Sequence, residues 1–178
     1  MNLSNQKLYE LKNSFLEAWP LERVEKMDIT EYTNLNRDDS FTYWVETNTK
    51  DLGGIKGGSS YKFGIYKRDN VDKEDSRDAY LTDGEYAWVG KYGVEKEEVF
   101  NNVKKLVFEV VKAAKENNLA KIDSIDLGNA YKWKIAFLYS DFNVVNVFKA
   151  DALLFLAEEH AVQDYSRDRI SPIHEELM

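Results

Sequence analysis

The stretch from Glu95 to Asn117 constrains this chain more than any other. Val99, Phe100, Val103, Leu106, Val107, Val110, Val111 and Ala114 recur every three or four residues, so a helix gathers them into one apolar stripe. Lysines and glutamates fill the opposite face. Glu95, Glu97 and Glu98 stand at the start, where the helix dipole favours negative charge. A stripe this broad must be buried against other elements, and 178 residues suffice to do so in one domain.

The flanking segments predict what that helix packs on. Ser40–Thr47 (SFTYWVET) and Ser59–Arg68 (SSYKFGIYKR) are rich in β-branched and aromatic residues and read as strands, paired antiparallel across a short glycine-laden connection. Gly84–Gly93 (GEYAWVGKYG), Tyr131–Tyr139 (YKWKIAFLY) and Val144–Lys149 (VVNVFK) add further strand candidates, while Asp69–Asp83 reads as a charged loop. Leu8, Leu11 and Phe15 predict an N-terminal helix stopped at Pro20. Leu21–Asn36 predicts a shorter helical piece broken near Asp28, which can cap ITEYTNL, and Asp151–His160 predicts a last helix. The expected fold is α+β: a mostly antiparallel twisted sheet of about five strands, packed with the long central helix and with N- and C-terminal helices. Residues 1–160 would form this domain and residues 161–178 a polar tail or the start of a linker.

The chain has no cysteine, which removes disulfides, thiolate nucleophiles and cysteine metal sites and fits a reducing, cytoplasmic setting. The N-terminus carries no apolar signal region. The longest apolar run, ALLFLA, is far short of the roughly 20 residues that span a membrane, so no membrane partner is expected. A net charge of −8 opposes indiscriminate binding to nucleic acid, but the charge is uneven. Between Ile55 and Arg68 the ionisable residues are Lys56, Lys62, Lys67 and Arg68, with no acid among them.

Gly53, Gly54, Gly57 and Gly58 crowd the segment before Ser59. A nucleotide-binding loop would need a lysine before the serine and a helix after it, and neither is present. The dinucleotide fingerprint fails for lack of the same helix. These glycines and Ser59 read instead as a turn, with the bare backbone allowing close approach of a ligand or a second chain. The two histidines, His160 and His174, have no motif around them, so no catalytic residue, metal or cofactor is expected. Asp123 and Asp126 read as part of a solvated loop. Aromatic residues on the predicted strands serve mainly as core. Trp44, Tyr86, Trp88 and Trp133 are singled out because they sit near lysines or strand ends and could line a base or target pocket. Lys56, Lys62, Lys67, Arg68, Lys132 and Lys134 are the matching candidates for contacts to DNA phosphates.

The ordered segments DITEYTNL, SFTYWVET, LGGIKGGSSYKFGIYKR, YAWVGKYG, VFNNVKKLVFEVVKAA, IDSIDLG and YKWKIAFLYS resemble an N-terminal module found ahead of McrB-type AAA+ GTPase domains in modification-dependent restriction systems. The resemblance spans roughly Trp19 to Leu156, and GGSSYKFGIY and KWKIAFLYS are its most specific pieces. It implies a non-catalytic DNA-recognition domain in a phage-defence system, partnered by an AAA+ motor. In several such systems the domain accepts a flipped, modified cytosine in an aromatic pocket. The motor's own phosphate loop and acidic strand do not occur in this chain, and no base-contacting residue carries over from the resemblance. The alternative expectation is a protein-interaction or regulatory domain of a defence assembly without direct DNA contact, which the acidic balance favours.

Overall fold

The computed structural model describes residues 3–36, 39–57, 59–70 and 79–178, and it is dominated by helices. Helix α1 (Leu3–Ala18) ends before Pro20 and is followed by α2 (Leu21–Lys26) and α3 (Ile29–Tyr32). Asp28 caps α3 as expected. Its carboxylate accepts from the amides of Thr30 (2.8 Å) and Glu31 (2.9 Å), and Glu31 reaches back to the Asp28 amide. Helix α4 (Phe41–Tyr43) runs into a π-turn (Trp44–Asn48) and a 3₁₀ turn (Lys50–Leu52). The stripe-bearing helix α5 (Lys96–Lys115) forms as predicted, with all of its expected stripe buried except the half-buried Leu106. Then come α6 (Leu119–Ser124), α7 (Asn129–Tyr139), α8 (Ala150–Glu159) and α9 (Ser171–Leu177).

In place of the expected sheet of about five strands, the described residues form one small antiparallel sheet of three. Strands β1 (Ile65–Lys67), β2 (Tyr80–Thr82) and β3 (Tyr86–Val89) lie in the order β1-β3-β2, with Ile65 opposite Trp88 and Thr82 opposite Ala87. Ser40–Thr47 is helical. Its buried positions Phe41, Val45, Thr49 and Leu52 recur at helical spacing, a period that its strand-like composition conceals. Tyr131–Tyr139 is helical too, buried on every side, so it has no polar face to reveal a period. Val144–Lys149 is irregular. The expected pairing of Ser40–Thr47 with Ser59–Arg68 is therefore replaced by β1 against β3, and Ser60–Phe63 turns as a 3₁₀ helix. Of the charged loop at Asp69–Asp83, residues 71–78 lie outside the described residues, while its end supplies β2.

Helix α7 is the centre. It packs against α5, α1, α6 and the π- and 3₁₀-turns, and the small sheet lies on α5. The Tyr139 hydroxyl donates to the Trp19 carbonyl (2.7 Å), tying α7 to the end of α1. Residues 161–178, expected as a polar tail or linker start, return to the domain. Helix α9 packs on α6 and α8 with Ile170, Ile173 and His174 buried, and the Asp123 carboxylate caps it through the amides of Ile170 (2.8 Å) and Ser171 (3.1 Å). Among the described residues no helix is long and apolar enough to cross a membrane.

Candidate functional site

The six cations expected on phosphates divide into two groups. Lys132 and Lys134 are buried on α7 and spend their amines on backbone carbonyls. Lys132 donates to Asp123 (2.9 Å) and Ile125 (3.0 Å), and Lys134 to Thr49 (2.8 Å), Leu52 (3.1 Å) and Gly53 (2.8 Å). Burial pulls the Lys134 amine down to about 7, so these three acceptors are what hold its proton near neutral pH. Lys62 forms an ion pair with Glu46 and donates to the carbonyls of Ile55 (3.1 Å) and Gly57 (3.0 Å). The glycine segment is thus gripped at its start by Lys134 and at its end by Lys62. Neither lysine is presented to a ligand.

Lys56, Lys67 and Arg68 remain at the surface. Lys67 pairs with Glu85 (2.8 Å), and this contact raises its pKa. Arg68 donates to Thr82 Oγ1 (3.2 Å) and to the Gly84 carbonyl (3.4 Å), across the end of the β2–β3 hairpin.

The aromatic set does not form the expected pocket. Tyr86, Trp88 and Trp133 are buried, Trp133 against His174 with ring centroids 4.3 Å apart, and Trp44 is half-buried against Phe15. Trp44, Trp88 and Trp133 all direct their indole N–H into the interior. His174 is a core residue. Its Nδ1 accepts from the Val145 amide (3.1 Å), and burial lowers its pKa to about 4.

The glycines also separate. Gly53 has a φ of +96°, and a Cβ there would meet the Asn146 carbonyl and lie 2.6 Å from the Phe148 ring. Its close approach is therefore to the chain's own 146–148 segment, not to a ligand. Gly54 and Gly57 face open space, Ser59 caps the following turn by accepting from the Tyr61 amide (3.3 Å), and Gly58 lies outside the described residues.

A different hollow collects the remaining polar groups. A cleft of about 360 Å³ lies between α3–α4 with the π-turn on one side and the Ser60–Phe63 turn with β1 on the other. Thr42, Tyr43, Glu46 and Thr47 line it as one helical stripe, two i, i+4 pairs, on the face away from buried Phe41 and Val45. Across from them stand Ser60, Tyr66 and Lys67, with Lys56 exposed beside the glycine segment. The walls are fixed. The Tyr32 hydroxyl donates to the Phe63 carbonyl, Thr33 Oγ1 accepts from the Lys67 amide (3.3 Å), and the Glu46–Lys62 pair neutralises the one carboxylate on the π-turn wall. Asp69 adds a carboxylate at the edge of the lining, and the hydroxyls and two tyrosine rings suit a planar polar group whose negative charge would be met by Lys56 and Lys67. Reading Ser40–Thr47 as a strand hid this stripe; helical spacing applied to the same residues would have found it.

Asp126 pairs with Lys91, and Asp123 is committed to capping α9. Comparison with protein-family models, with curated proteins and with solved structures gave no significant match.

Proposed function

We propose that this chain is a non-catalytic, cytoplasmic DNA-recognition module that binds through the polar cleft, as the resemblance to the domains preceding McrB-type motors implies. One observation carries the reading. The Thr42–Tyr43–Glu46–Thr47 stripe faces Tyr66, with Lys56 and Lys67 on the same cleft, so ring faces and hydroxyls adjoin cations able to meet a phosphate backbone. The base-reading aromatics become Tyr43 and Tyr66, in place of Trp44, Tyr86, Trp88 and Trp133. The phosphate set contracts to Lys56, Lys67 and Arg68. The Lys67–Glu85 pair is no barrier, because an exposed pair is worth at most about 1 kcal/mol and exchanges readily for a phosphate.

Fluorescence anisotropy with methylated, hydroxymethylated and unmodified duplexes across a salt series tests this. Three phosphate contacts give a log–log salt slope of about −3, and Lys56→Glu with Lys67→Glu brings it to about −1. Absence of salt-dependent binding to every duplex would refute DNA recognition. The second reading, a protein-interaction domain of a defence assembly, is favoured by the net charge of −8 and by the carboxylate partners of Lys62 and Lys67. It expects no duplex binding at any salt.

A further inference from the structure

A second hollow, of about 460 Å³, shares no lining residue with the polar cleft. Helix α1 contributes Leu8 and Tyr9, the 142–146 segment Phe142 and Val145, helix α8 Leu156 and helix α9 Leu177. Its floor is rigid. Tyr9 packs on Phe142 with ring centroids 4.7 Å apart, and the Lys12 amine lies 3.9 Å from the Phe142 ring while donating to the carbonyls of Phe137 (3.0 Å) and Ser140 (2.6 Å). The lining is mostly apolar, yet the groove is open enough to leave Tyr9 42% and Met178 61% exposed. A preformed apolar hollow of this size is a binding site by shape.

The rim chooses the occupant. Three exposed acids flank the lining: Asp141 precedes Phe142 and acts on the Lys12 amine over that ring, Glu159 lies one turn from Leu156 and next to His160 on α8, and Glu176 precedes Leu177 at the end of α9. A second copy of the chain would bring its own charge of −8 and the same acidic rim, which repel. A fatty acid would bring a carboxylate to the same acids. We propose that this groove docks an amphipathic helix of a protein partner, with apolar residues seated along the groove and basic residues on the acidic rim. The surface is independent of the cleft assigned to DNA, so either assignment stands without the other.

The test uses the intact chain and a fluorescein-labelled helical peptide with leucines at i, i+3, i+4 and i+7 and lysines elsewhere, beside a counterpart in which glutamates replace the lysines. The lysine peptide is expected to saturate the protein and the glutamate peptide not to. Tyr9→Ala should weaken binding by about fivefold or more, as for an anchoring aromatic. Glu159→Lys with Glu176→Lys should weaken it roughly threefold to tenfold. Glu97→Lys with Glu116→Lys on α5 makes the same change in net charge away from the groove and should leave affinity unchanged. Failure of the lysine peptide to bind, equal binding of the glutamate peptide, or equal effects of the two charge-reversal pairs would each overturn the proposal. So would displacement of the lysine peptide by dodecanoate, or sedimentation of wild type as a dimer that Tyr9→Ala dissociates; these assign the groove to a small apolar ligand or to a second copy.

Discussion

Replacing Lys134 by methionine sets two large terms against each other. The side chain is fully buried and keeps its approximate length and volume in the substitution, so packing changes little. Removing the amine relieves its burial. A folded-state pKa of about 7 against an ordinary 10.5 corresponds to a cost of about 4 kcal/mol at pH 7. That cost is net of the three charge-assisted hydrogen bonds the ammonium makes in the fold. Thr49 keeps a partner for its carbonyl in the Leu52 amide (3.0 Å), but the carbonyls of Leu52 and Gly53 have no other donor among the described residues. Leaving those two carbonyls without a donor costs about 1–3 kcal/mol each, which offsets most of the relief, so Lys134→Met is expected to stay within about 2 kcal/mol of wild type in urea denaturation at pH 7. The pH dependence provides a second reading. The folded pKa lies below the unfolded one, so the unfolded chain binds the extra proton between about 7 and 10.5. Wild-type stability therefore rises with pH across that window, and the methionine variant lacks the rise. A methionine variant that keeps the rise, or one that loses more than about 4 kcal/mol at pH 7, would refute the reasoning.

Gly53→Ala meets both a left-handed backbone and the Phe148 ring, so a loss of about 2 kcal/mol or more is expected in thermal denaturation, whereas Gly54→Ala, with open space around it, should stay within about 0.5 kcal/mol of wild type. His174 is neutral in the fold with a pKa of about 4 against 6.5. Stability present above pH 6.5 is then lost as pH falls toward 4, by about 1.4 kcal/mol between pH 7.5 and 5.5, and denaturation of His174→Phe over that range should lack this slope. Asp28→Ala removes the acceptor for the Thr30 and Glu31 amides and should cost about 1 kcal/mol in urea denaturation, since those bonds and the Thr30 hydroxyl hold its carboxyl below the usual range.

What the sequence disclosed follows from how each element meets water. Helix α5 has one wet and one dry face, so its period is written in the residues, and its stripe and first-turn acids were legible. The Asp28 cap was legible because capping depends on three neighbouring residues only. Helix α7 is dry on every side, and Lys132 and Lys134 give its first half a strand-like alternation although both are buried. Its length was the usable signal, since strands rarely run past eight residues. Ser40–Thr47 failed for a different reason: aromatic and β-branched composition was allowed to outweigh the spacing of Phe41, Val45 and Thr49. That single error displaced the candidate site, because the same helical turn that buries Phe41 and Val45 presents Tyr43 and Thr47 to the cleft.

The lysines show why residue type alone misassigned the chemistry. Lys132 and Lys134 alternate with aromatics in the sequence, and on an exposed strand that pattern would make a nucleic-acid surface; Lys12 joins them in the interior. In this fold each is buried at the carbonyl end of a short helix or turn: Lys12 at the end of α7, Lys132 at the end of α6, Lys134 at the end of the Lys50–Leu52 turn. Carbonyls left over at such ends carry partial negative charge, and a buried ammonium is a donor set that can satisfy several at once. A domain built from short helices has many such ends and few residues to spend on capping loops. Three of its lysines are recruited inward, which leaves the surface more acidic than the composition alone would. Lys132 and Lys134 leave the proposed phosphate-contact set for this reason and Lys62 leaves it through its pair with Glu46, so that Lys56, Lys67 and Arg68 remain.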